Sequence, residues 1–132
     1  MSETDAERIA LDFVKAINRH DVDAIMAMLG PGFRFVDSLG ETVRDSRRMR
    51  EGWQAYFALF PNYRVTVQEH FGKGSVVVLF GTAGGSLAKR DGRPSRGHWR
   101  VPAAWRTEVR RGRVVHWQVY ADNTPVSKLL SG

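Results

Sequence analysis

The chain has 132 residues, 42% of them apolar and 26% charged, which suits one compact domain and leaves no room for a second. It contains no cysteine, so disulfides, thiolate nucleophiles and Cys-ligated zinc are excluded. Lys and Arg total 20 against 14 Asp and Glu, a net charge of +6. The basic residues are spread over 44–50, 90–100 and 106–113, often beside acids and without an aromatic-interleaved or helix-turn-helix pattern; they read as solvated surface, and nucleic acid is not expected as a partner.

The acidic start, Met1-Ser2-Glu3-Thr4-Asp5-Ala6-Glu7, lacks the basic end and apolar run of a leader. No later segment approaches the roughly 18 apolar residues of a membrane span. The expectation is a soluble, cytoplasmic protein with no membrane partner. Thr4 with Glu7 forms a capping-box pattern that opens a first helix, with Ile9, Phe13, Ala16 and Ile17 on one face and an end near Asn18. Asp21 caps a short second helix carrying Val22, Ile25, Met26 and Leu29, which Gly30-Pro31 stops. Phe33–Asp37 reads as a strand, and Ser38–Glu41 turns the chain. A third helix starts at Asp45 or Ser46 and presents Met49, Trp53, Tyr56, Phe57 and Phe60 before Pro61. Four long strands follow, near 63–71, 76–87, 97–109 and 114–122, in successive antiparallel hairpins; one charged hairpin loop holds Asp91-Gly92, and Ser131-Gly132 form a frayed end. The fold class is α+β, with three helices on a curved antiparallel sheet.

Strand parity sorts the faces. Trp99, Val101, Ala103, Trp105, Thr107 and Val109 point inward, and His98, Arg100, Arg106 and Glu108 outward. In the last strand Val115, Trp117 and Val119 are interior, with His116, Gln118 and Tyr120 opposite and Asp122 in the outward set. The four tryptophans, Trp53, Trp99, Trp105 and Trp117, with Tyr56, Phe13, Phe33 and Phe35 are bulky inward groups that line a pocket or fill a core. Asp37 shares a face with Phe33 and Phe35, where loss of water suits a carboxyl for proton transfer; the plainer alternative is an Asp that ends its strand and caps a turn. His20, His70, His98 and His116 are dispersed and have no metal-ligand spacing, and Gly81–Gly85 lies inside a strand, where it marks a bend. Neither a metal nor a cofactor is expected.

Three segments carry a resemblance: Asn18-Arg19-His20-Asp21-Val22-Asp23-Ala24-Ile25 after the first helix, Phe60-Pro61 after the third, and Gly112-Arg113-Val114-Val115-His116-Trp117 running into Tyr120-Ala121-Asp122. Their order over nearly the whole chain resembles the SnoaL-like branch of the nuclear transport factor 2-like superfamily. The resemblance implies a cone-shaped cystatin-like fold around a deep apolar pocket, and a homodimer through the sheet. Val36-Asp37-Ser38-Leu39-Gly40 looks like the ketosteroid isomerase segment whose aspartate shuttles a proton, with Phe13 where that enzyme keeps an oxyanion-stabilising tyrosine. Asp122-Asn123 resembles the late-strand aspartate segment of SnoaL-type polyketide cyclases. The carboxylate pair of limonene epoxide hydrolases finds Val119 and the uncharged Val76–Phe80 in its place, so that activity is not expected.

Two functions follow as expectations. One is cofactor-independent isomerisation, cyclisation or dehydration of a small hydrophobic carbonyl compound, with Asp37 as base, Asp122 as a second acid/base and Tyr56 as donor to the oxyanion. In that case Phe13, Phe35, Trp53, Phe57, Trp99, Trp105 and Trp117 are the substrate-binding walls. The other is a non-catalytic module that binds a hydrophobic ligand or pairs with itself.

Overall fold

The computed structural model describes residues 4–91 and 93–131. The first three residues of the acidic start, Gly92 of the expected hairpin loop and Gly132 of the expected frayed end lie outside the described residues. Helix α1 (Asp5–Asn18) opens with both halves of the capping box: the Thr4 hydroxyl accepts from the Glu7 N–H, and Glu7 Oε2 accepts from the Thr4 N–H, each at 3.1 Å. It buries Ala10, Phe13, Val14, Ala16 and Ile17, the apolar stripe that its sequence spacing predicts. Asp21 caps α2 (Val22–Ala27) by accepting from the Ala24 N–H at 3.0 Å.

Helix α2 ends earlier than expected. Leu29-Gly30-Pro31 does not finish that helix but begins strand β1 (Leu29–Val36). The strand accommodates Pro31 at a register shift between Leu29 and Arg34. Gly30 is also a close approach, since a Cβ there would lie 2.9 Å from Val115 Cγ1; the helix has already ended at Ala27, and pairing with β6 draws Gly30-Pro31 into the strand. A two-residue strand β2 (Thr42–Val43) pairs back on β1. Asp45 then caps α3 (Ser46–Leu59) by accepting from the Arg47 N–H at 2.9 Å, and Phe60 closes the helix ahead of Pro61.

The remaining strands are β3 (Arg64–Lys73), β4 (Val76–Ala88), β5 (Pro94–Arg110) and β6 (Arg113–Ala121), followed by α4 (Thr124–Ser131). One six-stranded sheet runs in the order β2-β1-β6-β5-β4-β3. Its neighbours are antiparallel, as expected, except β1 and β6, which are parallel. That pair joins the first strand to the last, so no hairpin constrains its direction. Helix α4 was not expected, and Ser131 belongs to it rather than to a frayed end.

Parity holds along β5: Trp99, Val101, Ala103, Trp105, Thr107 and Val109 are all buried. In β6 a bulge opposite Glu108 and Val109 changes the count. Val114 therefore joins the core cluster in place of Val115, which is buried outside it, while Trp117 stays inside. Gly81 shows why the sheet bends there. A Cβ at Gly81 would fall 1.8 Å from the Thr66 carbonyl oxygen, beside the register shift between Val67 and Glu69, so only glycine lets β3 press onto β4. Helix α1 lies across β3, β4, β5 and β6 on the concave side, and Phe13, Phe60, Leu79 and Trp105 fill the core beneath it. Among the described residues no helix is long and apolar enough to cross a membrane.

Candidate functional site

The helices do not fill the concave side of the sheet. Between α3 and strands β1, β4, β5 and β6 a cavity of about 320 Å³ remains, within the range of small-molecule sites. Its body is apolar: Ile17, Phe35, Val43, Met49, Trp53, Val65, Ala83, Trp99, Val101, Ala103, Trp105, Trp117, Val119 and Ala121. Polar groups are few, and Asp37 is the only carboxylate among the described lining residues, which also include Ser38, Arg48, Tyr56, Tyr63 and Asn123.

Asp37 follows directly on β1. Its Oδ1 accepts from the backbone N–H groups of Leu39 at 2.9 Å and Glu41 at 3.0 Å, and its own backbone closes the turn through Asp37 N–H to Glu41 O and Gly40 N–H to Asp37 O. Asp37 thus caps the turn, as the plainer reading expects, and it also lines the cavity. The setting differs from the expected one, however. The carboxyl is half-buried at the rim beside Phe35, and Phe33 is buried away from the lining. Its Oδ2 accepts no hydrogen bond among the described residues, so one oxygen fixes the orientation and the other is open.

The phenols of Tyr56 and Tyr63 meet edge to face, with ring centroids 4.9 Å apart. Neither hydroxyl has a protein hydrogen-bond partner among the described residues. Burial raises the Tyr56 phenol well above its ordinary range; Tyr63 is raised too, by burial first and then by neighbouring Tyr56. Both therefore remain protonated donors at any physiological pH. Tyr63 was missed in the sequence because it opens the expected strand 63–71, whose faces the sequence does not sort; β3 itself starts one residue later, at Arg64. Its position comes from the end of α1. His20 Nε2 donates to the Tyr63 carbonyl at 2.8 Å, and Asn18 exchanges two 2.8 Å hydrogen bonds with the backbone of Val65.

Of the expected walls, Phe35, Trp53, Trp99, Trp105 and Trp117 line the cavity. Phe13 and Phe57 do not. Phe13 lies behind Trp117 at 4.9 Å, and Phe57, one helical step round from Tyr56, is stacked on His20 at 4.1 Å. Asp122 is likewise absent from the lining. It is exposed, and its Oδ1 accepts from the Thr124 hydroxyl at 2.6 Å and the Thr124 N–H at 3.0 Å at the start of α4. Those two bonds, the hydroxyl's first, hold the carboxyl below its ordinary range. The residue beside it enters the site instead, since Asn123 lines the cavity and donates to Ser38 Oγ at 2.8 Å.

Residues 10–117 match the model of the SnoaL-like domain. The chain belongs to the SnoaL-like family. Three solved structures show how closely this SnoaL-like domain keeps the family's fold. A candidate SnoaL-like polyketide cyclase of Shewanella putrefaciens is 16% identical, with 98% of each chain covered and a TM-score of 0.82. An NTF2-like protein of Burkholderia thailandensis is 21% identical over 98% of each chain, with a TM-score of 0.78. An LEH-like epoxide hydrolase of Mycobacterium tuberculosis is 20% identical over 96% of this chain and 90% of its own, also with a TM-score of 0.78. Among curated proteins none matches the chain. At such identities the likeness is one of fold, and the chemistry has to be argued from the site.

Proposed function

We propose that this SnoaL-like domain binds a small hydrophobic carbonyl compound and moves a proton on the carbon next to the carbonyl, with Asp37 as general base and without a cofactor. The observation that carries this reading is the placement of the cavity's only described carboxylate: Asp37 is oriented through Oδ1 and open at Oδ2. As Oδ2 takes the proton, the C–H electron pair moves into the carbonyl and leaves an enolate oxygen. Tyr56 donates to that oxygen, and buried donors already in place stabilise such a charge without reorganising. Return of the proton to a different carbon gives isomerisation, and attack of the enolate carbon on a second carbonyl gives cyclisation. Asp122 has no part in this scheme, because its carboxyl is committed to α4. A single described carboxylate also leaves epoxide hydrolysis by a carboxylate pair without its second acid.

The step is read directly as deuterium uptake into the acetyl methyl of 2-acetylnaphthalene in D2O, followed by NMR. Wild-type protein accelerates uptake, and Asp37→Asn lowers the acceleration by about 10²-fold or more, the usual worth of general base catalysis. Uptake that is equal in the two proteins removes Asp37 as base. The alternative, a hydrophobic-ligand-binding module without catalysis, then becomes the better reading, supported by the predominantly apolar wall.

We also propose that a second copy covers the outer face of the sheet. Phe71, Phe80 and Tyr120 are exposed there by 59%, 40% and 51%, in adjoining register rows of β3, β4 and β6. Phe71 and Phe80 already touch edge to face, at 6.1 Å. Sedimentation equilibrium is expected to give the mass of two chains, and Phe80→Glu that of one.

A further inference from the structure

The side of α3 that faces the cavity carries a cation the proposed chemistry does not use. Arg48, Gly52 and Tyr56 all line the cavity, and their i, i+4, i+8 spacing sets them in one row along the helix, about 12 Å from end to end. Arg48 stands at one end of the row and is exposed. The neighbouring arginines of the same helix are committed: Arg47 pairs with Glu51 at 3.1 Å and Arg50 with Asp23 at 2.6 Å. Arg48, the only cation among the described lining residues, has no carboxylate within ion-pair distance among the described residues, and this includes Asp37.

Gly52, in the middle of the row, is the second observation. Glycine inside a helix costs roughly 1 kcal/mol relative to alanine, and a packing constraint would ordinarily account for it. None exists among the described residues, because a Cβ at Gly52 would meet nothing of theirs within 4 Å. The missing side chain leaves open wall between the guanidinium and the phenol.

We propose that the site takes an elongated apolar molecule bearing a carboxylate, anchored by Arg48 at the rim while its carbonyl lies inward toward Tyr56. A guanidinium presents a planar fork of donors that matches a carboxylate, and at the rim it leaves the charged end of the ligand in water. The apolar body then lies along Gly52, against Trp53 and Trp99. This assignment rests on the reading of the cavity as a small-molecule site, and it names the class of substrate for the proton transfer proposed above.

The test compares 6-acetyl-2-naphthoate with its neutral counterpart 6-acetyl-2-naphthamide, by fluorescence titration at low salt. Wild-type protein is expected to bind the carboxylate at least tenfold more tightly than the amide. In Arg48→Gln the ratio of the two affinities falls to within twofold of one. Equal affinities in the wild type, or a preference that survives in Arg48→Gln, overturns the assignment while leaving the small-molecule site standing. If neither compound binds, both fall. Gly52→Leu supplies an independent arm, since a side chain along the row blocks both probes; unchanged binding in that variant overturns the placement of the ligand along α3.

Discussion

His116 is buried on the side of β6 opposite Trp117, with 7% of its surface exposed. Its Nε2 lies 3.1 Å from Gln118 Oε1, and its Nδ1 has no hydrogen-bond partner among the described residues. Burial lowers its proton affinity first, the Gln118 contact raises it, Arg34 and Arg106 lower it, and Glu108 raises it, for a net depression. The unfolded chain therefore binds this proton more readily than the folded one, so stability is full above the unfolded pKa near 6.5 and is lost as the pH falls toward the depressed folded value. Urea denaturation from pH 7 to pH 5 is expected to show a steeper loss for the wild type than for His116→Gln. Tyr56 makes the complementary case, a residue whose hydroxyl serves no structural bond. Tyr56→Phe is expected to leave the thermal midpoint within a few degrees while lowering deuterium uptake by about 10²-fold, the usual worth of a lost oxyanion donor.

Helix α3 combines a structural face and a chemical row. Met49, Trp53 and Phe57 are buried, Met49 and Trp53 against the cavity and Phe57 behind it, whereas Arg48, Gly52 and Tyr56 form the polar row along its wall. Gly52→Ala should raise stability by roughly 1 kcal/mol in denaturant titrations, because the new methyl meets nothing and the helix gains propensity. Helices α1 and α3 were legible because capping residues and a 3.6-residue period are local signals. Strand β2, two residues long, is too short for any period. Helix α4 did carry a signal: an Asp ahead of Thr124-Pro125 suits a helix start, but parity alone carried Asp122 into the outward set of the preceding strand. The Gly30-Pro31 stop misled in the other direction, since pairing with β6 offsets what the local residues disfavour.

At the scale of the molecule, the curved sheet and the helices over it leave a cavity where most domains place close-packed side chains. The core around it has to hold that shape. Leu79, fully buried on β4, is expected to cost about 2–5 kcal/mol when changed to Ala, measured by urea unfolding, a larger loss than any lining substitution at the rim. By itself the amino-acid sequence determined the α+β class, the capped helices α1 and α3, the inward tryptophans and the family resemblance, because periodicity, capping and strand parity are properties of neighbouring residues. Only the tertiary structure decided which inward groups border space and which are packed, that Asp122 turns away while Asn123 enters, that Tyr63 joins Tyr56, and that Arg48 stands at the rim without an ion pair among the described residues. Those outcomes depend on bulges, on a parallel strand pairing and on contacts between residues far apart in the chain, which no local pattern encodes.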